Sequence, residues 1–357
     1  MGQLAGILHA EDSTLLPQAM TAPYADLTTA INTVLAAYTK ARDEAFALLV
    51  QETTPLRSER IRTAGIIRGQ RIDADGRPLE ERIGDFYEVA YPWERLGYAM
   101  GWGSEDIQYL TIGDVQMNVD AIVAGNRADN IQAIWTRIYD NTAWSHTDLY
   151  GSLSIKPLAN GDATPYAQPN GSAVTANNYL VSGYAEGSIS ATNNPLRQVR
   201  DKVWTFFPRT RVVALINPLQ LPTLQNNLPN FVDASVVGVT AGSGESVATP
   251  LDGAPQIPGD FAGIDRDTGV YVYTYDTYVP DGYIDGIAIG APAPLKRRWP
   301  EPPALRGFKL EAEQDHDPFH KQIYRERFGY GAANRLSMAV LQLKASGTYD
   351  IPTGFAR

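Results

Sequence analysis

Hydrophobic and polar positions along this chain change period several times, and each change marks an element. Between Asp26 and Gln51, the residues Leu27, Ile31, Val34, Leu35, Tyr38, Ala45 and Leu48 recur at three- and four-residue steps. That stripe predicts an amphipathic helix with Asp26 as its N-cap and Pro55 as its stop. A second stripe (Val115, Val119, Ile122, Val123, Ile131, Ile134, Trp135, Ile138) predicts a helix over 114–141, broken only near Gly125-Asn126. PLRQVRDKVW (195–204) reads as a helix with Asn194 as cap and Pro195 in its first turn. Further helices are expected over 218–228 and over 318–328, the last with Asp317 as cap.

Other segments alternate with period two or are short apolar runs. RVVALI (211–216) predicts a buried strand, and RLSMAVLQL (335–343) an apolar closing strand. ALRGFKLEAE (304–313) is strand-like. In GVYVYTY, residues Tyr271, Tyr273 and Tyr275 fall on one face, with Val270, Val272 and Thr274 on the other. Such a tyrosine row is a sheet face or, alternatively, a sugar platform. The prolines of APAPLKRRWPEPP (291–303) predict an extended crossing segment excluded from any central strand. Residues 1–22 read as an extended arm, 145–193 as loops with short strands, and 238–269 as a glycine-rich loop interval. Together the elements predict an α+β fold of two intertwined domains, with the last segment returning to the sheet that the first segments began.

Residues 57–91 are unlike the rest. Arg57, Arg60, Arg62, Arg68, Arg71, Glu80, Glu81 and Asp85 crowd a segment whose apolar residues are scattered, with Asp75-Gly76 at its middle. This predicts a long, charged β-hairpin. An isolated hairpin is marginal in water, so another subunit is expected to supply the surface it lies on; a surface hairpin of a monomer is the plain alternative. On the first reading Arg62, Arg68, Arg71, Glu80 and Glu81 carry inter-subunit pairing.

Composition narrows the chemistry. The 357 residues suggest about two domains, and the absence of cysteine excludes disulfides, thiol nucleophiles and thiolate metal sites. A formal charge of −10 argues against direct neutralisation of nucleic-acid phosphates, though a container for nucleic acid can be acidic. No signal-like or membrane-spanning run occurs, so a soluble product made in the cytoplasm is expected. His316 and His320 have the spacing of two ligands on one helical face, but Pro318 and the lack of an adjacent glutamate favour a capped helix start over a metal site. DADG (73–76) and DRDTG (265–269) lack the later positions of a calcium loop and read as turns. No phosphate-binding glycine loop or nucleophile elbow occurs. Neither catalytic residues nor a cofactor are expected.

RERFGYGAANRLSMAVLQL (325–343) resembles the closing motif of tailed-bacteriophage major capsid proteins of the Hong Kong 97-like fold, where an aromatic-glycine turn leads into the final strand of the peripheral domain. YTYDTYVPDGYIDGIAIG (273–290) is similar to the strand–turn–strand that ends that family's axial domain, and YPWERLGYAMGWG (91–103) looks like the junction between the two domains. The resemblance implies an N-terminal arm (1–25), an N-terminal helix (26–56) and an extended hairpin loop (57–95). It further implies a spine helix with the first part of the peripheral domain (96–205), an axial domain (206–290) and a return to the peripheral domain (291–357). It implies a structural protein of the virion capsid, self-assembling as hexamers and pentamers into an icosahedral shell that encloses double-stranded DNA without sequence-specific binding. Portal, scaffold and decoration proteins are its implied partners.

Two departures bear on assembly. Some members crosslink through a lysine of the extended loop, but residues 57–91 hold no lysine and arginine cannot replace it, so no crosslink is expected. About 25 residues precede the first helix, which implies a separate scaffold or a processed form. The alternatives are an encapsulin-type nanocompartment shell, a carbohydrate-active enzyme with two carboxylates across a cleft, and a tail or decoration protein.

Overall fold

The computed structural model describes residues 24–63, 86–103, 112–234, 259–275, 278–316 and 319–357. In chain order, helix α1 (Tyr24–Ala45) precedes strands β1 (Val50–Thr54), β2 (Ser58–Arg62), β3 (Phe86–Ala90) and β4 (Glu94–Gly103). Helix α2 (Ile112–Tyr139) leads to β5 (Trp144–Asp148), β6 (Gly151–Ile155), β7 (Tyr166–Ala167), β8 (Ala173–Val174) and β9 (Tyr179–Val181). Then come α3 (Pro195–Trp204), β10 (Arg211–Ile216), α4 (Leu221–Asn227), β11 (Phe231–Asp233), β12 (Asp260–Asp265) and β13 (Val270–Thr274). The last strands are β14 (Tyr283–Ile289), β15 (Leu295–Arg298), β16 (Lys309–His316), β17 (Phe319–Ala332) and β18 (Met338–Gln342).

Most strands fall into two sheets. The larger has seven strands in the order β11-β12-β13-β10-β14-β18-β9 and is covered on both faces. Val213, Leu215, Tyr273, Ile287 and Val340 meet Ile131, Ile134, Trp135 and Ile138 of α2 on one face. Val212, Ala214, Val272, Ile284 and Leu341 meet Leu196, Val199 and Val203 of α3 on the other. Two apolar faces need two covers, which is why RVVALI reads as an unbroken apolar run. Asn194 caps α3 as its sequence implies, its side-chain oxygen accepting from the Leu196 and Arg197 amides. At Gly286 the helix comes so close that an added Cβ would lie 1.7 Å from Val199 Cγ1.

The second sheet is organised by β17. Its Phe319–Phe328 stretch pairs with all of β4, residues 319–325 pair with β16, and residues 329–332 pair with β15. Beneath it Ile31, Val34 and Leu35 of α1 pack with Val115 and Val119 of α2, Phe308, Leu310 and Tyr324. The 28 residues of α2, about 42 Å of helix, therefore lie under both sheets: the N-terminal half under the small one, the C-terminal half under the large one.

Several expectations are corrected. The first helix starts at Tyr24, placing Asp26 inside it, and ends at Ala45 rather than Gln51. Phe46 and Leu49 turn into the large-sheet core, and β-branched Val50, Thr53 and Thr54 pair in parallel with β15. Within 291–303, Leu295–Arg298 does form an interior strand, flanked by β1 and β17, because its prolines stop just outside it at 294 and 300. In place of the helix expected over 318–328, Phe319–Ala332 is a continuous strand, so the aromatic-glycine run lies inside it and not in a turn; Asp317 and Pro318 lie outside the described residues. Strand β12 occupies part of the expected loop 238–269. Strands β13 and β14 flank β10 from opposite sides and do not pair with each other. The return to the first sheet is made by β15, while the closing strand β18 enters the larger one.

Candidate assembly interface

The charged hairpin is described only at its root, where β2 and β3 pair from Ser58↔Ala90 to Arg62↔Phe86. Successive side chains of a strand point to opposite faces. Tyr87, Val89 and Tyr91, with Ile61, pack on Tyr166, Ala159 and Phe206. Ala90, on the other face, packs on Leu153, Ile155 and Trp144 of the β5–β6 hairpin.

Polar bonds fix this root. Arg335 is fully buried and donates to the carbonyls of Pro157 (2.7 Å) and Leu158 (3.2 Å), to Asp162 Oδ2 (2.8 Å) and to the Tyr166 hydroxyl (2.6 Å). Its guanidinium lies within 6 Å of the Tyr87 and Tyr166 rings. Tyr87 OH donates to the Ala333 carbonyl at 2.6 Å, and burial pushes its phenol up to about 12 against the opposing charge of Arg335. Arg57 holds Asp148 with two bonds of 2.8 and 2.7 Å, and Lys296 reaches Glu59 at 3.1 Å. The root of the hairpin is thus a stiff base.

Of the residues expected to pair between subunits, Arg62 sits exposed at the end of β2 with its guanidinium 5.8 Å from the Phe86 ring centre. Arg68, Arg71, Glu80 and Glu81 lie outside the described residues, as do the Asp75-Gly76 turn and the DADG segment.

A second polar cluster, unforeseen in the sequence, joins both long helices to the small sheet. Glu326 of β17 is fully buried and accepts from Arg42 (2.8 and 3.0 Å), Arg297 (2.5 Å), Asn126 (2.8 Å) and Asn130 (2.8 Å). Burial alone would raise its pKa, but the facing charges of Arg42 and Arg297 and the bonds from Arg42 and Asn126 outweigh it and bring it down to about 2. Asn126 and Asn130 continue the three/four spacing of the α2 stripe, so the break at Gly125-Asn126 was the trace this cluster left in the sequence. Another buried acid, Asp285, sits mid-strand in β14 and accepts from Tyr139 OH at 2.5 Å. Burial pushes its carboxyl up to about 8, with the Tyr139 bond opposing.

The remaining candidates resolve as structure. His316 and His320 lie on the antiparallel strands β16 and β17, paired with Phe319 and Asp315, so the shared helical face does not exist. The tyrosine row is a packed sheet face: Tyr273 is buried, and Tyr271 and Tyr275 pack against the same core. DRDTG is a turn in which Gly269 N donates to Asp265 O at 2.7 Å. No group of three or more His, Asp or Glu among the described residues could hold a metal ion. Among those residues no helix is long and apolar enough to cross a membrane.

These two sheets, bridged by one long helix, give the class: the chain has the fold of solved bacteriophage capsid structures. It is similar to a solved structure of Mycobacterium phage Patience, with 19% identity, a TM-score of 0.67, and 93% of this chain and 91% of that one covered. It is also similar to a chain of the capsid structure of the cyanophage P-SCSP1u, with 12% identity, a TM-score of 0.52, and 84% and 87% covered. No protein-family model matches the chain, and no curated protein matches it by sequence.

Proposed function

We propose that this chain is a structural shell subunit that self-assembles as hexamers and pentamers into an icosahedral capsid around double-stranded DNA, and that it is not an enzyme. The observation that carries the reading is the end-to-end likeness of fold to the phage Patience structure. On this reading α2 is the spine helix, the small sheet belongs to the peripheral domain and the seven-stranded sheet to the axial domain. The segment 57–95 is the extended loop that lies on a neighbour, with Arg62, Arg68, Arg71, Glu80 and Glu81 setting its register. Exposed ion pairs contribute only about 0–1 kcal/mol each, so their role is orientation, and stability comes from apolar contacts repeated by symmetry. Portal, scaffold and decoration proteins are its further partners, and assembly takes place in the host cytoplasm.

The test is negative-stain electron microscopy of the purified chain, expressed alone and with its neighbouring genes. Closed shells or hexameric rings are the expected result, and their contents, nucleic acid or cargo protein, separate a virion from a nanocompartment. A uniform monomer under every condition refutes the reading. Reversing several of the five named charges should block assembly and leave a folded subunit.

A further inference from the structure

The two most exposed of the large apolar side chains on the described surface are adjacent: Leu149 (99% exposed) and Tyr150 (83%). Leu149 and Tyr150 form the two-residue tip of the β5–β6 hairpin, where tight turns ordinarily carry Asn, Asp or Gly. The tip is held in place. The Tyr150 amide donates to Asp148 Oδ1 at 2.8 Å, Arg57 grips the same carboxylate and the Gly151 carbonyl, and its guanidinium lies 6.0 Å from the Tyr150 ring centre. An apolar pair on a pre-organised support has the character of an interface anchor.

A matching recess exists on the other side of the hairpin root. A groove of about 530 Å³ is lined by Ile61, Tyr87, Phe206, Phe207 and Leu336, with the polar Asn334 among them. Ile61 and Tyr87 belong to one face of the β2/β3 ribbon, whereas the β5–β6 hairpin packs against the opposite face through Leu153 and Ile155. One copy therefore presents its tip away from its own groove, the arrangement of a head-to-tail contact, which forms a ring when the rotation between copies closes. Area agrees with that mode. Tyr150 can bury about 150–250 Å², and together with Leu149 it stays well short of the roughly 800 Å² that each partner gives to a stable dimer. Such a contact holds only where symmetry repeats it.

We infer that Leu149 and Tyr150 insert into the Ile61–Tyr87–Phe206–Leu336 groove of a second copy of this chain. The inference rests on the shell reading above and adds a contact to it.

Two experiments on the full chain test it. Leu149→Ser combined with Tyr150→Ser should leave the circular-dichroism spectrum and melting of the subunit unchanged but raise the critical assembly concentration by about tenfold or more. Assembly at the wild-type concentration overturns the inference while leaving the shell reading intact. Because the chain has no cysteine, assembled Leu149→Cys/Asn334→Cys protein can be treated with a short bis-maleimide. A ladder of covalent dimers, trimers and higher species is expected, absent from either single variant. Assembled particles that give no ladder overturn the pairing of tip with groove. A wild-type chain that never assembles overturns the shell reading and this contact together.

Discussion

Glu326→Gln tests the joint between the helices and the small sheet. The side chain is fully excluded from solvent, and the two guanidiniums that face it, Arg42 and Arg297, are 2% and 4% exposed. Glutamine keeps the size and one acceptor oxygen but removes the fully buried charge that both arginines share, leaving them Asp43, which is 36% exposed and bound by Arg42 at 3.2 Å and by Arg297 at 2.5 Å. Breaking a buried ion pair by removing one partner costs about 3–5 kcal/mol where the remaining charge is left unpaired and desolvated, and the retained Asp43 pairs hold this variant to the lower end of that range. The pKa gives a separate figure. Glu326 titrates near 2 in the fold against an ordinary 4.5, and about 1.4 kcal/mol per pH unit makes that about 3 kcal/mol. Since the folded pKa is depressed, this stability is fully present above pH 4.5 and is lost as pH falls through 2. Urea unfolding of the unassembled subunit, followed from pH 7 to 2.5, reads both numbers. The variant should be weaker by several kcal/mol at pH 7 and should lack the acid-dependent loss of the wild type. A variant within 1 kcal/mol of wild type at pH 7, or one with an identical acid slope, refutes the account.

Asp285 has the opposite sign: its folded pKa is raised to about 8, so its contribution is greatest below pH 4 and declines as pH rises towards 8. Asp285→Asn, which can still accept from Tyr139 OH, should flatten the stability curve between pH 5 and 8 by about 1.4 kcal/mol per unit; parallel urea-unfolding curves for the two proteins refute this. Arg335→Met strips the only described donor shared by the Pro157 and Leu158 carbonyls, Asp162 and Tyr166. A loss of about 3–5 kcal/mol and faster proteolysis within 57–91 are expected, and an unchanged cleavage rate counts against the stiff root.

What the sequence determined by itself was everything governed by local periodicity. The stripes of α1 and α2, the Asn194-Pro195 helix start, the apolar run of β10 and the two faces of β13 are each legible because burial imposes a fixed residue spacing on one element. The α+β class and the root of the charged hairpin followed from the same patterns. Tertiary structure decided where neighbours override local preference. RERFGYGA is a strand because β4, β15 and β16 pair along it, and its glycines are needed where the chain at 90–92 crosses: a Cβ at Gly329 would lie 2.2 Å from Pro92 O. LKRR is an interior strand because its bounding prolines stop short of the paired positions. Glu326 looks like one more surface acid in RERF until Arg42, Asn126 and Arg297 arrive from 29 to 284 residues away. A period of two or of 3.6 records which face of an element is buried, but no local pattern records what that face meets.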